Sequence, residues 1–158
     1  MLIKVIAVFF VCLPAFGITS EYREYAEDAG VFFGVGDCLI LGVIVQEGGT
    51  PGTDTRHDNG AVDSGLAQIN KNGEWMKHFA RRYKITYEQI RDNPYLSILL
   101  VGYILRTELD RSDDIFDAVS AYHRGYGRRQ TVEGMRYAEK VLRWANSLRR
   151  SGRCSQVL

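Results

Sequence analysis

The sequence predicts a single compact, mostly α-helical domain with long loops, and three observations carry that expectation. Its 158 residues are about the size of one ordinary domain. Apolar residues make up 46% of the chain, enough for a sizeable core and too many for disorder. Nearly every stretch between glycine-rich loops carries a helix-capping signal, and no repeat, low-complexity tract or internal linker interrupts them.

The N-terminus reads as an export signal over residues 1–17. Lys4 supplies the positive start, "VIAVFFVCLPAF" a short apolar run, and Ala15-Phe16-Gly17 a small-x-small cleavage site. Cys12 lies inside the run without the small residues that precede a lipidated cysteine, so no lipid anchor is expected. The mature domain then covers 18–158. It contains no apolar run of 18 residues, so no membrane span is expected after cleavage.

The helices follow in order. "EYREYAEDAGVFFGV" opens the mature chain and breaks at Gly30 or Gly34. Residues 37–47, "DCLILGVIVQE", start at Asp37 as N-cap and are apolar almost all round, as a buried helix or a Val/Ile-rich buried strand would be. Residues 48–63 are dense in Gly, Thr, Asp and Asn and read as a long loop, the kind that often carries function. Helix is expected again over 74–83. Thr86 and Gln89 form a capping box. Asn93-Pro94 starts a helix through "YLSILLVGYILRTEL". Ser112 or Asp113 caps "DIFDAVSAY", "HRGYGRR" is a loop, and Thr131 caps a last helix to about Arg149.

Charge excludes one class of partner. Cleavage removes Lys4 and no acid, so 20 basic residues become 19, against 19 acidic ones. A balanced chain lacks the basic excess that a nucleic-acid partner favours. Cys38 and Cys154 survive cleavage. In an oxidising compartment they could pair, and Cys38 equally suits a buried free thiol. His57 and His78, with Asp54, Asp58 and Asp63 nearby, offer no helix-spaced His pair or tight cysteine pair. They read as loop residues, and no metal is expected.

Glu47 is the residue with chemistry. It ends the most apolar helix of the mature chain, just before Gly48-Gly49. The negative end of the helix dipole and desolvation both disfavour its ionised form. A carboxyl group that keeps its proton near neutral pH is what a general acid needs. The plain alternative is a solvated helix end.

Four segments in order bear on that choice: "LGVIVQEGG", "DNGAVDSGLAQIN", "AYHRGYG" and "YAEKVLRW". Together they resemble the catalytic domain of the soluble lytic transglycosylases, nearest the subgroup associated with conjugation and type III or type IV secretion. The resemblance spans about 22–146. It implies a lysozyme-like fold and a periplasmic, cell-wall-associated enzyme. It implies peptidoglycan glycan strands as substrate, cut between N-acetylmuramic acid and N-acetylglucosamine with a 1,6-anhydromuramoyl product. Components of a secretion, conjugation or pilus apparatus are the partners implied.

The resemblance also implies roles. Glu47 matches the family's single catalytic acid, and no cofactor is implied. Ser64, Gln68 and Asn70 match substrate-binding positions, with Ser64 expected to hydrogen-bond near Glu47. Asp63 matches the subgroup's Asp, which holds the loop. Tyr122 is expected to orient the acid or the substrate's N-acetyl group by its hydroxyl, and Tyr137 matches a further cleft tyrosine. The chain departs from the family's pattern at Gly48 (usually Ser), Ala67 (usually Met) and His123-Arg124 (usually Asn-Ala). Ala67 is expected to open the cleft, and His123 and Arg124 to add charge. Two other readings stay open: a muramidase that recruits Asp58 or Asp63 as second carboxylate, and a non-catalytic glycan-binding assembly factor.

Overall fold

The computed structural model describes residues 17–157. The expected export signal therefore lies outside the described residues, Gly17 excepted. Among the described residues there are seven α-helices and a three-stranded sheet, in the order α1 (Ser20–Phe33), α2 (Asp37–Glu47), β1 (Asp54–Arg56), β2 (Val62–Ser64), β3 (Ile69–Asn70), α3 (Glu74–Tyr83), α4 (Tyr87–Asp92), α5 (Pro94–Leu109), α6 (Ile115–Arg124) and α7 (Val132–Arg150). The mostly helical architecture is the one the sequence predicts. None of these helices is long and apolar enough to cross a membrane.

The core forms around α2, which packs most extensively on α7 and also against α1 and α5. Cys38 to Val45 are all buried. Val43, Ile44 and Val45 have weaker helix propensity, at most about 0.7 kcal/mol each. Burying a Val, Leu or Ile side chain stabilises by roughly 1.5–3 kcal/mol. Packing therefore outweighs propensity, and the segment is helix rather than strand. A second cluster of Met76, Phe79, Ile90, Leu100 and Ile104 joins α3 and α4 to α5.

Several boundaries follow local chemistry. Helix α1 runs through Gly30 and stops at Gly34, which is left-handed at φ 64°. Thr86 and Gln89 make the capping box of α4. The Asn93 side chain accepts from Tyr95 N and Leu96 N at the start of α5, and that of Thr131 accepts from Gly134 N at the start of α7.

Other boundaries differ from expectation. Gly36, not Asp37, caps α2. The buried Asp37 carboxylate instead accepts from Ser155 N at 2.8 Å and Gln156 N at 2.7 Å. The C-terminal tail supplies the donors, so nothing beside Asp37 in sequence reveals its role. Asp114, rather than Ser112 or Asp113, caps α6 by accepting from Asp117 N at 2.8 Å. Helix α6 continues through His123 and Arg124, which shortens the expected loop to Gly125 and a 3-10 turn over Tyr126–Arg128. The long loop after α2 holds the β1–β2 hairpin, turned at Asn59-Gly60. The tail itself is bonded to α2 through a Cys38–Cys154 disulfide with Cα atoms 5.2 Å apart.

Candidate active site

Glu47 is the last residue of α2, and the two glycines after it serve different needs. Gly48 caps the helix in the left-handed region, φ 61°, with its N–H on Ile44 O at 3.0 Å. A side chain rarely adopts that conformation, which gives a physical reason for glycine where the family usually has serine. Gly49 lies against the "SGLAQ" turn. A Cβ there would collide with the carbonyl oxygens of Gly65 and Leu66 and sit 2.9 Å from Gln68 Nε2. Backbone therefore meets backbone, and the end of α2 is locked onto the second motif.

That motif is built from paired polar groups. Gln68 adopts φ 46°, uncommon for a residue with a side chain. Its amide Nε2 donates to Gly65 O at 2.9 Å, closing the turn. Asp63 and Asn70 face each other across β2 and β3. Asn70 Nδ2 donates to Asp63 Oδ1 at 3.3 Å. The second Asp63 oxygen lies 2.7 Å from His57 Nε2, so His57 clasps the hairpin rather than standing free in a loop.

Ser64 is buried and turned to other partners. Its hydroxyl donates to Asp54 Oδ1 at 2.8 Å and lies against the Tyr87 hydroxyl. Tyr87 itself donates to Asp54 at 2.5 Å. The expected bond from Ser64 toward Glu47 is replaced by this knot, because β1 brings Asp54 directly opposite Ser64. Ala67 is 1% exposed and belongs to the main core. The smaller side chain is packed there and does not widen a cleft.

Of the two expected parts for Tyr122, orienting the acid falls to Tyr137 instead. Tyr137, on α7, donates its hydroxyl to Glu47 Oε1 at 2.5 Å. The Tyr122 hydroxyl, on α6, is buried with no hydrogen-bond partner among the described residues. Their rings are nearly parallel, 11° apart with centroids at 6.2 Å. Burial first, and the Glu47 charge second, push both hydroxyls well above the usual tyrosine range. Both therefore stay protonated, Tyr137 as donor to Glu47 and Tyr122 as a hydroxyl in need of a partner.

Glu47 is itself perturbed. Burial pushes its carboxyl up to about 7, the Tyr137 hydrogen bond opposes the rise, and the Asp63 charge adds to it. The group is part-exposed, so a proton can pass between it and a bound molecule. The added charge expected from His123 and Arg124 is not delivered to the acid. Burial and the neighbouring Arg124 lower the proton affinity of His123, and Arg124 pairs with Glu133 at 3.0 Å. The sequence signals did not disclose the His57 clasp or the Asp54–Ser64–Tyr87 knot. Asn59-Gly60 is the one local cue to the hairpin behind both; taken with its neighbours it reads as loop.

Comparison with known proteins bears on the chain as a whole. The family model described as Transglycosylase SLT domain matches residues 24–144. Two curated relatives are the proteins named Invasion protein IagB of Salmonella typhimurium (strain SL1344) and of Salmonella typhi. Each is 26% identical over 141 residues, covering 87% of this chain and 84% of the relative.

Proposed function

Because the chain belongs to the transglycosylase SLT domain family, we propose that it is a peptidoglycan lytic transglycosylase acting outside the cytoplasm, with Glu47 as its one proton-transferring group. The observation that carries this reading is a carboxyl group held near pKa 7 at the end of a buried helix, hydrogen-bonded to Tyr137.

The chemistry needs only that carboxyl. Tyr137 occupies Oε1, which leaves Oε2 to carry the proton. Glu47 donates it to the glycosidic oxygen as the bond from that oxygen to the muramoyl anomeric carbon breaks. The muramoyl C6 hydroxyl attacks the same carbon, and its proton goes to the Glu47 carboxylate. The new C1–O6 bond closes a 1,6-anhydro ring and the acid is regenerated with no water consumed. A tethered hydroxyl is at high effective concentration, which removes the need for a second carboxylate to activate water. Both oxygens of Asp63 are already engaged, which favours this route over a muramidase that recruits Asp63. The unpartnered Tyr122 hydroxyl is the donor suited to a substrate carbonyl such as an N-acetyl oxygen.

Residues 1–17 serve as the export signal, and the Cys38–Cys154 disulfide suits an oxidising destination. The relatives' name, Invasion protein, supports local wall opening for a secretion-type apparatus. The test is to digest purified sacculi and identify the products by mass spectrometry. Anhydro-ended muropeptides, lost in Glu47→Gln, are expected. Binding to sacculi without turnover would instead mean a glycan-binding assembly factor.

A further inference from the structure

We propose that His123 is a positioning residue, an aromatic cover on the Tyr137 ring that keeps the Tyr137–Glu47 hydrogen bond oriented and poor in water. The proposal deepens the reading of Glu47 as the acid and rests on it.

The geometry is that of a stack. The His123 and Tyr137 rings lie 4.3 Å apart at 5°, and the Tyr122 ring is parallel within 11°. Tyr122 and His123 are neighbours on α6, so the packing of α6 on α7 orients all three rings together. Tyr137 is only 7% exposed, whereas His123 is exposed. The imidazole is thus a layer between solvent and the ring whose hydroxyl holds Glu47. Where the family usually has asparagine, this chain places a flat aromatic group.

The charge state suits a cover. Desolvation of the part of the ring covered by Tyr137 comes first and Arg124 second in disfavouring the imidazolium, while Glu133 on α7 and Asp63 on β2 favour it. The net effect lowers the proton affinity of His123, which works against setting a cation beside the acid. A cation there would favour the Glu47 carboxylate and weaken it as a proton donor. The groups that face Glu47 itself are Tyr137 from α7, Tyr122 from α6 and Asp63 from β2.

Removing the ring exposes the Tyr137–Glu47 bond to water and lowers the proton affinity of Glu47. The experiment titrates Glu47 by carboxyl carbon-13 NMR in the whole folded protein, and measures kcat/KM against pH, for wild type, His123→Ala and His123→Phe. His123→Ala is expected to move the Glu47 midpoint and the alkaline limb of kcat/KM downward together. At pH 8 that costs about tenfold in kcat/KM for each unit of movement, with recovery at pH 5. His123→Phe keeps a ring without a titrating nitrogen and is expected to restore both. An unmoved midpoint in His123→Ala, or a Phe variant whose midpoint falls, overturns the proposal. If His123→Ala does not fold, His123→Asn replaces it as the variant without the ring, with the same expected fall and the same overturning result. The titration reads the free protein, so a perturbed Glu47 in a protein without turnover would defeat the functional reading and leave the cover standing.

Discussion

At the scale of residues, Glu47 and Tyr137 make opposing demands that can be measured. The native Glu47 carboxyl titrates at about 7, against 4.5 in an unperturbed chain. Below 4.5 both folded and unfolded states hold the proton. Between 4.5 and 7 the unfolded chain releases it and the native state keeps it, so stability declines as pH rises, and above 7 the full cost is present. Glu47→Gln is therefore expected to melt higher than wild type at pH 8, by roughly 1–3 kcal/mol, with the gap closing by pH 4. Thermal melts at the two pH values check this. The same substitution should lower turnover by about 10²–10⁴-fold. Tyr137→Phe removes the donor that steadies the carboxylate form, so the alkaline limb of kcat/KM should rise by about one pH unit while kcat falls. A pH profile with an unmoved limb would contradict the hydrogen bond's part.

At the scale of elements, legibility in the sequence tracks the distance between a residue and its partner. Thr86, Asn93 and Thr131 are readable because each caps backbone groups two or three residues away. Asp37 is not, since it bonds residues 155 and 156. The β1–β2 hairpin hides because its strands are three residues each and β1 is fully exposed, leaving no apolar alternation. Glu47 is legible from the apolar run that ends in it. Whether Tyr122 or Tyr137 reaches it depends on how α6 and α7 pack, which local pattern does not encode. The lock between α2 and the "SGLAQ" turn predicts a ranking. Gly48→Ser meets only the left-handed backbone and should cost about 1–2 kcal/mol. Gly49→Ala must also displace backbone carbonyls and should cost more, roughly 2–4 kcal/mol. Denaturant midpoints would order the two variants, and an equal cost would count against the backbone contact.

At the scale of the whole molecule, α2 is held at both ends. The disulfide and Asp37 fasten the start to the C-terminal tail, and Gly49 seats the end on the second motif. The bridge spans a sequence separation of 116 residues. Loop-closure entropy over so long a loop gives a stabilisation of about 2–5 kcal/mol. Reduction, or Cys38→Ala with Cys154→Ala, is expected to lower the melting temperature by about 10 °C, as calorimetry with and without reductant would show. The central claim spans the molecule: a buried helix delivers one proton-carrying carboxyl to a glycan, and the substrate's own hydroxyl does the rest. Digesting sacculi in water enriched in oxygen-18 tests it most directly. Anhydro-ended muropeptides free of the heavy isotope are the predicted result, and reducing ends carrying it would contradict the account.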